Sequence, residues 1–261
     1  MLSNNYPSDF SKELSKHSIQ EYLNCNTESF LEFVNSTFVD FVLKNFKTGL
    51  NSNVKPRVMN NWIKVGAVIV AEEDKGKIKR FNISENIWLE IFEDLRAFGV
   101  SLEKLRYIRE QLSFSVKKFD YLKYNIIKSI FGDESYLQIF EEGEIGFVNK
   151  KWLEKNIRRG GRKISINLDF SVYVKNGFEN NCIDENFNDL LDYDDTRKLK
   201  LLFCLKTNFY KSLTIKLSDG DIRLINNTSE LFSNTKLLKK IINMDFESIR
   251  VDINDEVHDI I

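Results

Sequence analysis

Apolar residues recur at steps of three and four along the first part of the chain, which is the spacing of one face of an α-helix. The first such stripe begins at Phe30 and ends before Gly49, a residue type that favours a helix end. A second helix is predicted from Lys55 to Val65, with Gly66 as its stop. We expect its inward face to hold Val58, Met59, Trp62 and Val65.

The opposite face of this second helix is polar, and a short β-hairpin is predicted after it. Ala67–Val70 and Lys77–Ile83 alternate in polarity and flank the turn-forming sequence E-E-D-K-G. We expect the helix and the hairpin to form one basic face. Its candidate DNA-binding side chains are Lys55, Arg57, Asn60, Asn61, Lys64, Lys77, Lys79 and Arg80.

Two capped helices close this unit. Ser84 is the predicted cap of the first, which ends at Gly99, and Ser101 is the predicted cap of the second, which runs to Leu112. Another apolar stripe predicts a helix from Ser113 to Phe131. A helix, a basic hairpin and two capped helices in this order are the layout of a winged helix-turn-helix.

The second half of the chain is richer in predicted strands. Tyr136–Phe140 and Ile145–Val148 form a predicted hairpin, whereas Ile164–Val174 alternates in a way that suits a helix or a strand. The segments Asn208–Leu217 and Met244–Ile253 are similar to each other. An apolar helix precedes each segment, and a turn with an apolar return strand follows it. This pattern predicts two related helix-hairpin units in one small α+β module.

Together these elements predict an α+β protein in four parts. Residues 1–30 would form a polar arm and 31–131 the winged helix-turn-helix domain with its following helix. Residues 132–196 would be a connecting region with a short hairpin and an acidic segment, and 197–261 the duplicated helix-hairpin module. A length of 261 residues is enough for two domains at about 100–200 residues each.

Charge is distributed unevenly along the chain, so the net charge of −1 conceals a basic segment within an acidic remainder. Residues 44–118 hold 15 Lys+Arg and 9 Asp+Glu, a balance of +6, so the rest of the chain, with 23 and 30, has a balance of −7. A basic segment within an otherwise acidic protein suits a localised contact with a polyanion.

The residues that usually carry enzyme or metal chemistry are sparse. The three Cys and the two His, His17 and His258, form no metal or nucleophile motif, so no cofactor, no metal and no enzymatic activity are expected. Two alternatives stay open. One is that the basic turn Arg158–Lys163 binds a phosphate. The other is a metal-dependent nuclease, whose metal ligands would be the carboxylates of Asp184, Glu185, Asp192, Asp194 and Asp195.

Targeting signals are also lacking in the sequence. The first residues, M-L-S-N-N-Y-P-S-D-F, do not resemble a secretory signal, and no apolar run approaches the roughly 20 residues that span a bilayer. A soluble, cytoplasmic protein is therefore expected.

Residues 55–112 resemble the MerR family of bacterial transcription regulators. The helix reads K-P-R-V-M-N-N-W-I-K-V-G, close to the family pattern S-P-R-x-L-R-x-W-x-x-x-G. The hairpin ends in K-I-K-R-F, and the helix pair reads D-L-R-A-F-G-V-S-L-E-K-L, close to D-L-R-x-x-G-x-S-L-E-x-I. The resemblance covers nearly 60 residues, under a quarter of the chain.

This resemblance implies a sequence-specific protein that binds double-stranded DNA and regulates transcription. The helix Lys55–Val65 would lie in the major groove, where Arg57, Asn60 and Asn61 would face bases or phosphates. Lys64 would hold a phosphate, and so would the hairpin residues Lys77, Lys79 and Arg80. The C-terminal module would bind a second copy of the chain or another protein.

Two alternatives to a regulator are kept. One is a DNA-architectural or excisionase-like accessory factor of a mobile element, because such factors use similar winged helices without sensing a ligand. The other is a protein-interaction adaptor in which the winged helix no longer binds DNA. Salt-dependent binding to duplex DNA distinguishes the first two classes from the adaptor.

Overall fold

The computed structural model describes residues 27–45, 47–49, 54–70, 80–113, 115–116, 119–158, 165–178, 192 and 194–260. It mixes helices and sheets, as the predicted α+β class requires. The helices of the described residues are α1 (Glu28–Val34), α2 (Thr37–Asn45), α3 (Pro56–Lys64), α4 (Ile83–Ala97), α5 (Leu102–Leu112), α6 (Tyr121–Ile130), α7 (Lys150–Arg158), α8 (Phe170–Gly177), α9 (Thr196–Thr207), α10 (Thr228–Ser233) and α11 (Thr235–Ile242).

The strands pair in antiparallel sheets. In chain order they are β1 (Lys47–Gly49), β2 (Arg80–Asn82), β3 (Ser115–Val116), β4 (Phe119–Asp120), β5 (Ser135–Phe140), β6 (Ile145–Asn149), β7 (Ser165–Asp169), β8 (Ser212–Leu217), β9 (Ile222–Ile225), β10 (Phe246–Ile253) and β11 (Glu256–Asp259). The sheet orders are β1-β2, β3-β4, β6-β5-β7 and β11-β10-β8-β9.

Helix ends follow local side-chain chemistry, with one correction to the predicted caps. Ser101 Oγ accepts a hydrogen bond from the Lys104 N–H at 3.2 Å, which confirms the predicted cap of α5. Helix α4 is capped by Asn82 rather than by Ser84, because Asn82 Oδ1 accepts from the Glu85 N–H at 2.9 Å. The helix therefore begins two residues before the expected first turn and follows directly from β2.

Helix α6 lies at the centre of the apolar core. The Tyr124 ring meets Phe30 of α1 edge-on at 5.9 Å, and Phe131, just after α6, stacks on Phe33 at 5.7 Å. Since Phe30 is fully buried, the N-terminal part of α1 belongs to the core and not to the predicted polar arm. The predicted helix from Ser113 begins only at Tyr121, after the short pair β3 and β4.

The middle of the chain forms a three-stranded sheet. The predicted hairpin is confirmed as β5 and β6, with Leu137 paired to Phe147. The ambiguous segment from Ile164 divides into strand β7, which pairs with the other edge of β5, and helix α8. The change occurs at Asp169, whose side chain accepts from the Ser171 N–H at 3.1 Å and caps α8.

The C-terminal residues form a four-stranded sheet. Two hairpins, β8-β9 and β10-β11, join through their first strands, with Leu213 opposite Val251. Alternate residues of β8 and β10 are buried on the inner face. Phe203 of α9 meets Phe33 of α1 at 5.8 Å, and His258 of β11 lies 4.4 Å from the Phe41 ring of α2. The module thus shares its core with the N-terminal helices.

Candidate nucleic-acid interface

Helix α3 has well-defined ends. Pro56 occupies its first position, where a missing N–H leaves no hydrogen bond unmade. At the other end, Gly66 has φ +77° and the Ala67 N–H donates to the Trp62 carbonyl oxygen at 3.0 Å. This left-handed glycine cap stops the helix where the sequence predicts it.

One side of α3 is fixed against α4. Met59 and Trp62 are buried, and the Trp62 ring lies 4.4 Å from the Phe92 ring. Val58 was expected to point inward, but it is 40% exposed. On a helix of 3.6 residues per turn, Val58 lies about 100° from Met59 and therefore at the edge of the buried face.

The opposite side of α3 is polar and open to solvent. Arg57, Asn60, Asn61 and Lys64 are all exposed and occupy an arc of about 100° on the helix. Lys55 is exposed just before the helix begins. The sequence has no Asp or Glu between Val54 and Val70, and no carboxylate of the described residues pairs with these cations. This face is therefore locally cationic.

The loop after α3 is held in place by hydrogen bonds to buried polar side chains. The Trp88 indole N–H donates to the Ala67 carbonyl oxygen at 2.7 Å in the buried interior. The Glu85 carboxylate accepts from the Ile69 N–H at 3.4 Å and forms a buried ion pair with Arg109 of α5. Burial raises the pKa of Glu85, and Arg109 opposes that rise. These contacts hold α3, α4 and α5 as one unit.

This buried polar support was not predicted from the sequence. The hydrogen bond of the Trp88 indole has no local sequence signal. Glu85 lies in the first turn of α4, where an acidic residue usually stabilises the helix dipole from the surface. The only hint of Glu85 burial in the sequence is an apolar residue four positions later. This residue, Leu89, is buried on the same side of α4.

The predicted hairpin after α3 is only partly described, and its first strand is wrong. Residues 67–70 form no strand, whereas β2 pairs with β1, with Phe81 opposite Thr48. Lys77 and Lys79 lie outside the described residues. Arg80 begins β2, but its side chain is also outside them. Of the candidate DNA-binding residues, the structure thus brings together those of α3 and its N-terminal flank.

Two of the described candidates for other chemistry, Asp192 and Asp195, take part in structural contacts. Asp195 caps α9 and pairs with Arg197 at 3.2 Å, and Asp192 pairs with Lys198 at 3.0 Å. Lys198 lowers the pKa of Asp192, as expected for a carboxylate beside a cation. Asp184 and Glu185 lie outside the described residues, as does the basic turn after Arg158.

The described parts of the chain also lack a metal-binding cluster and a membrane-spanning helix. They contain no group of three or more His, Cys, Asp or Glu side chains able to hold a metal ion. Nor does any helix there have the length and apolar character needed to cross a membrane. Cys204 is buried, and burial raises the pKa of its thiol, so its thiolate is disfavoured.

No protein-family model matches the chain, and no match was found among curated proteins or among solved structures.

Proposed function

We propose that this protein binds double-stranded DNA with α3 in the major groove. The observation that carries the proposal is the division of α3 into two sides. Met59 and Trp62 fix one side in the core, while the other presents cations and amides without a neutralising carboxylate among the described residues. A rigid, basic, exposed helix is the usual means of entering a major groove.

The proposed roles follow the chemistry of each side chain. Asn60 and Asn61 suit adenine, because a side-chain amide can bond its N6 and N7 edge bidentately. Arg57 suits guanine or a phosphate, and Lys64 and Lys55 suit phosphates at the groove walls. Lys77, Lys79 and Arg80 would add phosphate contacts from the wing, as proposed from the sequence alone.

The resemblance of residues 55–112 to the MerR family supports a bacterial-type transcription regulator in particular. Such a protein would act in the cytoplasm, and the proposed role needs no cofactor, metal or catalytic group. We also propose that the region is a winged helix-turn-helix, in which β1 and β2 form the base of the wing.

One observation favours the accessory-factor alternative. In the MerR family a long dimerising helix follows the helix pair directly. Here the next helix is α6, and its residues Leu122, Tyr124 and Ile126 are buried in the core of the same chain. A dimer would therefore need another surface. A protein that binds DNA without a family-type dimer suits a DNA-architectural or excisionase-like role.

The C-terminal module supports the proposed duplication. Asn208 after α9 and Met244 after α11 both adopt left-handed conformations, with φ of 48° and 56°. Each precedes the first strand of a hairpin, and those two strands pair with each other. Partner binding, including binding to a second copy, remains the proposed role of this module.

Binding to duplex DNA at two salt concentrations tests the proposal. A fluorescent duplex library and the full-length protein would give affinities by anisotropy, and sequencing the retained fragments would give the site. Arg57→Ala should weaken binding and reduce the slope of log affinity against log salt by about 0.9 for one phosphate contact. Asn60→Ala or Asn61→Ala should instead change which sequences are retained.

A charge-matched control makes this test specific. Lys236→Ala removes one exposed cation from α11, in the C-terminal module, and should leave the affinity and the salt slope unchanged. Absence of duplex binding by the wild-type protein at low salt would refute both DNA-binding roles and leave the adaptor role. An inverted repeat among the retained sequences would indicate a dimer.

A further inference from the structure

A second basic surface lies on α7, in the middle of the chain. The helix is capped by Asn149, whose Oδ1 accepts from the Trp152 N–H at 2.8 Å. It follows β6 directly, and the half-buried Leu153 is on its inner side. Trp152 is 44% exposed, an unusual position for the largest apolar side chain.

The exposed side of α7 combines this indole with two lysines. Lys151 and Lys155 are one helical turn apart, and with Trp152 they occupy an arc of about 100°. Leu153 lies about 100° beyond Trp152 on the helix, away from the lysines. The indole therefore lies beside two lysines on one continuous face, formed by Lys151, Trp152 and Lys155, which we call the α7 face.

The α7 face is also cationic. Lys150, Lys151 and Lys155 are exposed, and none pairs with a carboxylate of the described residues. The surrounding sequence, residues 150–163, has seven Lys or Arg and one Glu, a balance of 7 − 1 = +6. The side chains of residues 156–163 lie outside the described part of the chain, so the geometry of this face is that of residues 150–155.

We propose that the α7 face binds single-stranded nucleic acid. An exposed indole offers a flat surface on which a base can stack, and adjacent ammonium groups attract the phosphates on either side of that base. Stacking requires a base whose own face is open, as in a single strand and not inside a duplex. This site is separate from the polar face of α3, and single-strand binding at α7 does not depend on duplex binding at α3.

The shape of α7 argues against an anionic membrane as the partner. An interfacial helix needs a broad apolar face that enters the lipid. The side chains of α7 are described as far as Lys155; among these, Leu153 is half-buried on the inner side and Trp152 is the one large exposed apolar residue. One indole among lysines is enough for base stacking but gives little area for insertion.

Intrinsic tryptophan fluorescence can test this proposal in the full-length protein. Trp62 is 8% exposed and Trp88 is fully buried, so a ligand that stacks on an exposed indole reports on Trp152. Titration with a thymidine oligonucleotide of about 20 nucleotides should quench this emission. A labelled oligonucleotide followed by anisotropy should give the same affinity, which should fall as salt is added.

Variants separate stacking from charge. Trp152→Ala should abolish the quench and weaken binding roughly five- to a hundred-fold, whereas Trp152→Phe should abolish the quench and keep most of the affinity. The Lys151→Ala/Lys155→Ala pair should reduce the salt slope by about 0.7 for each lysine. The control pair Lys236→Ala/Lys239→Ala removes two exposed charges from α11 and should bind like the wild type.

Three results would overturn the proposal. One is unchanged oligonucleotide affinity in both Trp152→Ala and the Lys151/Lys155 pair. Another is equal loss of affinity in the Lys236/Lys239 control, which would show a non-specific charge effect. The third is a blue shift of Trp152 emission on vesicles of phosphatidylserine without any response to the oligonucleotide. Duplex binding that depends on Arg57 but not on Trp152 would leave the proposed function of α3 intact.

Discussion

The polar face of α3 and the outer face of the C-terminal sheet both expose basic side chains, but only the sheet neutralises them. On the sheet, Lys216 pairs with Glu247, and Arg250 pairs with Asp259 at 2.9 Å. On α3, Arg57 and Lys64 have no such partner among the described residues. Exposed pairs add little stability, about 0–1 kcal/mol each, but they cancel the local field. An unpaired set keeps its attraction for a polyanion.

The two surfaces also differ in what holds them in place. The sheet is fixed by backbone pairing across β8 and β10, which is insensitive to most side chains. Helix α3 has no such ladder and depends on Trp62, on the cap at Gly66 and on the contacts of Trp88 and Glu85. A helix supported by few side chains can be disturbed at each of them separately.

Among the contacts that support α3, loss of the buried ion pair of Glu85 and Arg109 should lower the free energy of unfolding most. Glu85→Ala should lower the free energy of unfolding by about 3–5 kcal/mol, because the Arg109 guanidinium would remain buried without a counter-charge. Urea denaturation would measure this. Replacing both partners, Glu85→Leu with Arg109→Met, should recover most of the loss. A loss below about 1 kcal/mol in the single variant would contradict burial of the pair.

The second support is the Trp62 side chain. Trp62→Ala should lower the free energy of unfolding by about 3 kcal/mol, since it removes a buried indole and its contact with Phe92. The proposed duplex binding should weaken along with stability, because α3 would lose its fixed side. Trp152→Ala is the matched control: it removes an exposed indole and should change the unfolding free energy by less than about 0.5 kcal/mol.

Features set by near neighbours in the chain were predictable from the sequence. The ends of α3 and the start of α5 follow from Pro56, Gly66 and Ser101, whose effects act within one helical turn. The outward residues of α3 were predictable for the same reason, since helical periodicity alone places Arg57 and Lys64 on one face. These local signals gave the part of the candidate site that the structure describes.

Features set by distant pairing were not predictable. Strand β1 has only three residues and meets β2 more than thirty residues later, so the sequence pattern favoured the nearer segment 67–70 as a partner. The pairing of β5 with β7 and the burial of Glu85 against Arg109 are equally non-local. An acidic residue in the first turn of a helix has the same local pattern whether its carboxylate faces solvent or a buried arginine.

The cap of α3 gives a test of backbone strain alone. Gly66 has φ +77° and open space where a side chain would lie. Gly66→Ala should therefore lower the free energy of unfolding by about 1–2 kcal/mol, solely because alanine disfavours this left-handed conformation. Gly146 in β6 also has open space but an ordinary φ. Gly146→Ala should therefore be neutral to within about 0.5 kcal/mol. Equal melting temperatures for the two variants would show that the cap of α3 is not strained.

The smallest expected effect concerns a charge pair of the C-terminal module. Asp195 caps α9, and the Arg197 guanidinium holds the pKa of this carboxyl below its ordinary value of 3.8. A carboxyl with a lowered pKa in the folded state stabilises the fold above its ordinary pKa, and this contribution fades as the pH falls through the lowered value. Asp195→Asn keeps a capping oxygen but removes the charge.

At pH 7, Asp195→Asn should therefore lower the free energy of unfolding by only about 0.3 kcal/mol, the typical contribution of an exposed ion pair. The difference in this free energy between Asp195→Asn and the wild type should shrink as the pH falls below 3.8. Asp195→Ala loses the cap as well, and it should lower the free energy of unfolding by about 1 kcal/mol near pH 3 and by slightly more at pH 7, where the charge is also lost. Urea midpoints at pH 7 and near pH 3 would measure both variants. A difference for Asp195→Asn that grows on acidification would have the wrong sign for a lowered pKa, and would mean that Arg197 does not stabilise the charged carboxylate in the folded protein.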